Sequence, residues 1–175
     1  MKFSNFLFPE SQSPDGDYGV IEESLREAEL SEELGYDVVW LAEHHFDGGC
    51  AYVDPTTFAA AIAARTKKIK IGFAVAQMAL HHPIRFAEQI ALVDNISKGR
   101  MIVGVGRGTA YNFYEFRGFG IDPDDSHEML LEVEDILLQA WTTKDYKHNG
   151  KYWQLELPVL RPQVYQKPQI GRAHV

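Results

Sequence analysis

Four groups of residues in this sequence are best suited to chemistry: Glu43-His44-His45-Phe46, Gln77, His81-His82, and Arg107 set between Gly106 and Gly108. Histidine titrates at a pKa of about 6.5 when unperturbed, which suits proton transfer near neutral pH. Adjacent side chains on an extended backbone face opposite ways, so only one of His44 and His45 can enter a shared site. Read alone, the pair could equally be structural histidines or a helix cap. Zinc fits poorly: there is no His-Glu-x-x-His, no His-x-His on the first β-type run and only one cysteine, so no metal site is expected. Gly104-x-Gly106-x-Gly108 lacks the Gly-x-Gly-x-x-Gly spacing of a dinucleotide loop, and no helix opens directly after it. Glycine can let a planar ring or a phosphate approach the backbone, and Arg107 carries a planar, permanently charged fork suited to phosphate oxygens. A surface arginine in a Gly-rich turn is the plain alternative.

These groups come after apolar runs that read as β-strands: Lys2–Phe8, Asp37–Ala42, Ile69–Ala76 and Met101–Gly106. Each run is mostly apolar rather than alternating, the pattern of parallel strands covered on both faces. Helical patterns lie between and after them. Tyr18–Leu34 stops at Gly35, Asp54-Pro55 opens a second helix with the small face Ala59–Ala64, Pro83 opens a third ending near Gly99, and a fourth runs from about Ser126, its cap, to Trp141. Ala59–Ala64 suits close packing on a sheet or on a partner subunit's helix. Phe113, Tyr114, Phe116 and Phe119 cluster after the fourth strand, as loop core or as a wall for an apolar substrate.

Strand starts near 2, 37, 69 and 101 recur every 32 to 35 residues, the spacing of repeated βαβ units. Parallel α/β folds place their chemistry at the carboxyl ends of strands, where these polar groups collect. A complete (β/α)8 barrel needs roughly 250 residues, and this chain has 175. The sheet is therefore either open or half a barrel. Asn149-Gly150 signals a β-hairpin, and Pro158, Pro162 and Pro168 punctuate an irregular stretch after it. Ile170-Gly171-Arg172-Ala173-His174-Val175 matches one translated frame of a common sequencing adapter. Residues 170–175 are read as a non-native tail on a partial domain over 1–169, with a natural polar tail as the alternative.

Composition narrows the function classes. With 25 acidic against 17 basic residues the formal charge is −8, which argues against nucleic acid as a partner. No apolar run approaches the roughly 20 residues of a membrane helix, so no membrane partner is expected. Hydrophobic residues at 45% and charged ones at 24% describe a globular chain. The lone Cys50 fits a reducing, cytoplasmic setting.

In order along the chain, Gly35-Tyr36-Asp37-Val38-Val39-Trp40-Leu41-Ala42-Glu43-His44-His45-Phe46, Ala63-Ala64-Arg65-Thr66, His82-Pro83-Ile84-Arg85-Phe86-Ala87-Glu88, Asn95-Ile96-Ser97-Lys98-Gly99-Arg100, Gly104-Val105-Gly106-Arg107-Gly108 and Gly150-Lys151-Tyr152 form a pattern. It resembles the bacterial-luciferase-like, flavin-dependent monooxygenases, collinearly over about residues 1–168. The resemblance implies the N-terminal half of a (β/α)8 TIM barrel: four parallel strands with their helices, plus a hairpin insertion, ending before strand five. It also implies a reaction of reduced FMN with O2 through a C4a-(hydro)peroxyflavin to oxygenate a small organic substrate, with a flavin reductase supplying the FMNH2. His44 would be the catalytic acid/base. Glu43 would line the flavin edge, Ala74-Val75 would form a non-proline cis peptide against the ring, and Gly106 would adjoin it. Arg107 would hold the phosphate, and the second and third helices would form a homodimer. Two positions depart from the pattern. Gly106 stands where light-emitting members carry cysteine, which disfavours bioluminescence, and His127 stands where an arginine often helps hold phosphate. The half barrel alone should bind FMN poorly and show little activity. An F420-dependent dehydrogenase of the same superfamily and a non-catalytic flavin-binding protein are the alternatives, and a metal-dependent hydrolase is remote.

Overall fold

The computed structural model describes residues 1–109 and 111–167, and the backbone of 171–174. Pro168, Ile170 and Val175 lie outside the described residues. In order come β1 (Ser4–Leu7), α1 (Asp17–Glu33), β2 (Val38–Leu41), α2 (Pro55–Arg65), β3 (Lys70–Phe73), β4 (Ala76–Gln77), α3 (Pro83–Ser97), β5 (Met101–Gly106), α4 (Phe113–Gly118), α5 (Ser126–Thr142), β6 (Tyr146–Asn149), β7 (Gln154–Leu157) and β8 (Gly171–His174). The main sheet runs β1-β2-β3-β5, with β4 and β8 also on β5, and every pairing in it is parallel. All four expected strands are present. β8 adds a further one, pairing Ile102↔Gly171 through Val105↔His174.

β3 and β4 form one interrupted strand. Ile71 and Gly72 pair with Met101 and Ile102, whereas Ala76 and Gln77 pair with Val105 and Gly106. Phe73, Ala74 and Val75 thus oppose only Val103 and Gly104, which is a bulge of one residue. The Ala74–Val75 peptide inside it is cis, as the resemblance implies.

Helices α1, α2, α3 and α5 bury one face of this sheet. Val39, Leu41, Ile71, Phe73, Met101 and Val103 form the sheet side of a core that continues into Ala59, Ile62, Phe86, Ile90, Val133 and Ile136. The other face departs from expectation. Phe6, Trp40, Gly72 and Ile102 stand in register across it, Phe6 is 51% exposed, and Trp40 and Ile102 are only partly buried. The sheet is covered on one side.

Local chemistry fixes the helix ends. Gly35, at φ +81°, closes α1, with Tyr36 N donating to Ser31 O (2.9 Å) and Gly35 N to Glu32 O (3.1 Å). Asp54 Oδ1 accepts from Thr56 N (2.9 Å) and Thr57 N (3.3 Å) at the start of α2, followed by Pro55. Arg100 is buried and acts as a clamp. Its guanidinium donates to Ala63 O, Thr66 O, Thr66 Oγ1, Ile69 O and Ser97 O, tying the carboxyl end of α2 to the start of β5. The family-like Ala63-Ala64-Arg65-Thr66 and Ser97-Lys98-Gly99-Arg100 segments are thus two halves of one structural lock.

One expectation about a helix end is corrected. Ser126 begins α5 instead of capping it: its hydroxyl donates to Pro123 O (2.6 Å), and a 3-10 turn over Pro123–Asp125, capped by Asp122, leads in. The hairpin expected at Asn149-Gly150 is present as β6–β7 and turns through four residues, Gly150 to Trp153, closed by Gly150 N donating to Trp153 O (2.9 Å). Among the described residues no helix is long and apolar enough to cross a membrane.

Candidate active site

The carboxyl ends of β2, β4 and β5 open onto one cleft of about 460 Å³. Its walls include all six residues expected at the site: Glu43, His44, Ala74, Val75, Gly106 and Arg107. Gln77, Gly108, His127 and Leu130 line it as well. His127, at the start of α5, thus shares the cleft with Arg107.

Tyr52 ties together the strand ends that lead to Glu43. Its hydroxyl accepts from Ala42 N (2.7 Å) and donates to Leu7 O (3.1 Å), joining the ends of β1 and β2 just before Glu43. Burial pushes the Tyr52 phenol up, with Cys50 adding to the shift, so it stays a neutral donor and acceptor.

His44 lines the cleft with its side chain 28% exposed. Its Nδ1 lies 3.2 Å from Glu115 Oε1 and 3.4 Å from Asn112 Nδ2, and the Phe8 ring meets it edge-on at 5.4 Å. Nε2 has no partner among the described residues. His45 turns the other way, as the alternation argument requires: its Nε2 lies 2.9 Å from Glu43 Oε1, and its ring packs edge-on against Phe119.

Glu43 is 3% exposed. Oε1 meets His45 Nε2 and, at 2.8 Å, His81 Nε2, while Oε2 accepts from Gln77 N (2.6 Å). Burial pushes this carboxyl up, but the hydrogen bonds from His45 and His81, the His81 charge and the Gln77 amide together outweigh it and hold the group below its usual range. Both oxygens of Glu43 are therefore engaged by the protein.

Gly106 and Gly108 are glycines for a reason internal to the chain. A Cβ on Gly106 would come within 2.6 Å of Val75 Cγ2, and one on Gly108, where φ is +88°, would overlap Gln77 Oε1. The close approach is made by protein side chains. Arg107 is exposed at the rim, and its guanidinium has no partner among the described residues.

Sequence reasoning missed Glu115, and it placed Gln77 among the polar strand ends without assigning it a task. Glu115 is fully buried and accepts from His45 N (2.9 Å) and Gln77 Nε2 (2.9 Å) besides meeting His44. The signal was a lone carboxylate between Tyr114 and Phe116 on a short apolar helix. Of the aromatic cluster only Phe116 enters a core, with Ala79 and Met129, whereas Phe113, Tyr114 and Phe119 are exposed and line no part of the cleft. Ala59 and Ala63 are buried against the core, and Ala64 is exposed. Among the described residues no cluster of His, Cys, Asp and Glu is arranged to hold a metal ion.

The model of one protein family, luciferase-like monooxygenase, matches residues 1–172. The chain belongs to the luciferase-like monooxygenase family. It is 37% identical over 168 residues to an alkanal monooxygenase alpha chain from Photorhabdus laumondii, covering 95% of this chain and 46% of that one. It is 31% identical over 170 residues to the oxygenase component of a flavin-dependent trigonelline monooxygenase from Acinetobacter baylyi, covering 96% and 47%. The crystal structure of monooxygenase RslO1 from Streptomyces bottropensis superposes with a TM-score of 0.92 at 34% identity, over 99% of this chain and 53% of that one. The chain thus spans about half the length of the luciferase-like monooxygenases it matches. Its parallel sheet and helices are the α/β fold of that barrel family.

Proposed function

We propose that this chain is the N-terminal half of a (β/α)8 flavin-dependent monooxygenase that uses reduced FMN and O2 to oxygenate a small organic substrate. The observation that carries the reading is the pairing, in one cleft of about 460 Å³, of an imidazole held from behind and a guanidinium with no protein partner among the described residues. That volume lies within the roughly 300–1,000 Å³ of small-molecule sites. The half-exposed row of Phe6, Trp40 and Ile102 supports the half-barrel reading, since it lies where the inside of a closed barrel would bury it. The terminal six residues are proposed as a non-native tail, of which Gly171–His174 take the place beside β5 that a fifth strand would fill.

The donor set fits FMN. Arg107 would take phosphate oxygens through its fork, and His127 would add a second donor from the start of α5. Ala74, Val75 and Gly106 would form an apolar wall for a planar ring. When bound, the reduced flavin supplies the electrons for oxygen activation. Every other task falls to this chain. His44, backed by Glu115 at Nδ1, would hold or deliver a proton at Nε2. Glu43 would not touch the ring with a free oxygen; it would keep His45, His81 and Gln77 in place. Further phosphate donors would come from later strands, so residues 1–175 alone should bind FMN weakly.

A flavin reductase is the proposed source of FMNH2, in a cytoplasmic setting. A homodimer is proposed through α2 and α3, where Leu92 and Ile96 stand 52% and 44% exposed on α3. The test supplies reduced FMN enzymatically to the longer protein, with O2 and a panel of small organic substrates. Oxygen insertion into product is expected. Anaerobic turnover with F420 would replace the reading with hydride transfer, and binding without turnover would reduce it to a flavin-binding protein.

A further inference from the structure

The cleft is backed by polar groups that a site defined by His44 and Arg107 alone does not use. Glu115 is 0% exposed, and an ion there must be paired or fully hydrogen-bonded. Two of its partners can only donate: His45 N to Oε1 at 2.9 Å and Gln77 Nε2 to Oε2 at 2.9 Å. The same Gln77 Nε2 donates to Glu43 O at 2.9 Å, which fixes the amide's orientation and leaves Gln77 Oε1 buried with no partner among the described residues. A buried amide that accepts this cost is held for its nitrogen. The surroundings of Glu115 are therefore built from donors, and the third neighbour, His44 Nδ1 at 3.2 Å, completes them by bringing a hydrogen. Asn112 Nδ2, at 3.4 Å from the same nitrogen, is the weaker contact.

We infer that Gln77 and Glu115 are positioning residues that lock His44 as the Nδ1–H tautomer. Nε2 is then the nitrogen left for the cleft. Free imidazole side chains favour no such arrangement, and the lock comes from a chain of contacts running from the end of β2, through Gln77 on β4, to Glu115 on α4. Gly108 belongs to the same assembly, because any larger residue would collide with Gln77 Oε1. The side chain that holds Glu115 thus also sets the loop carrying Arg107. The catalytic meaning of this lock rests on the flavin monooxygenase reading, but the tautomer does not.

The test is long-range 1H–15N NMR at alkaline pH on the 175-residue chain with 15N-labelled histidine. His44 is assigned among the seven histidines by loss of its signals in His44→Gln. The expected result is an Nδ1–H signature for His44 in the parent chain, a mixture with Nε2–H in Glu115→Ala, and a smaller shift the same way in Gln77→Met. Gln77→Met keeps the volume of the side chain and stands in if Glu115→Ala fails to fold. An Nε2–H signature in the parent chain, or no change in the folded variants, overturns the inference. In the longer protein, Glu115→Ala should lower kcat at least tenfold with FMN affinity within twofold, and should add nothing to His44→Ala. Full activity of His44→Ala alongside the expected tautomers would sink the acid/base reading and leave the positioning assignment standing.

Discussion

Gly106 and Val75 share one space. Val75 Cγ2 stands 2.6 Å from where a Cβ on residue 106 would be, because the one-residue bulge between β3 and β4 swings Val75 toward the end of β5. The cleft wall that would face a flavin ring is shaped by this pair, and its apolar character comes from Val75 and not from residue 106.

Gly106→Ala should therefore destabilise the chain by about 1–3 kcal/mol, the range for overpacking. Val75→Ala introduced alongside it should recover most of that loss. Urea unfolding of the two single variants and the pair checks this; additive losses would show that the residues do not share the space.

Arg100→Leu removes the donors for four backbone carbonyls and Thr66 Oγ1 at the joint of α2, α3 and β5. A loss of roughly 3 kcal/mol or more is expected in the denaturant midpoint, since several buried acceptors go unpaired. Arg100→Lys should not rescue it, because a single ammonium cannot reproduce the fork.

Tyr52→Phe should cost about 1–3 kcal/mol by stranding Ala42 N and Leu7 O. Its local mark is faster hydrogen exchange at the Ala42 amide, one residue before Glu43. Unchanged exchange there would mean that the strand ends hold without the phenol.

The sheet was legible because strands β2, β3 and β5 are short apolar runs set off by helical patterns, and because Asp54-Pro55 and Gly35 carry their own backbone rules. The rim was legible for a related reason: His44 and Arg107 come just after strands, where a parallel sheet exposes polar groups. Glu115 was not legible. Its partners lie 38, 70 and 71 residues away, on segments that only the fold brings together, and its own neighbours are aromatic. Ser126 misled because the 3-10 turn before α5 places it inside the helix, where its hydroxyl donates back to Pro123 O instead of accepting from the helix amides. The exposed sheet face was hidden by composition, since Phe6, Trp40 and Ile102 are as apolar as residues of a covered face.

Glu43 gives the pH dependence its sign. Its carboxyl sits below the usual 4.5 in the folded chain, so the stability it confers is present above that value and is lost as pH falls through the lower folded one. The stability gap between the parent chain and Glu43→Gln should be full at pH 7 and shrink steadily as the pH drops below about 4.5. A gap of constant size from pH 7 to pH 3 would mean that Glu43 is not ionised in the fold.

The most direct test of the central claim is substrate oxygenation by His44→Ala in the longer protein, with reduced FMN and O2 supplied and FMN binding measured in parallel. Loss of a positioned acid/base should lower turnover roughly 100- to 10,000-fold while FMN affinity stays within twofold. Turnover equal to that of the parent protein would contradict the account.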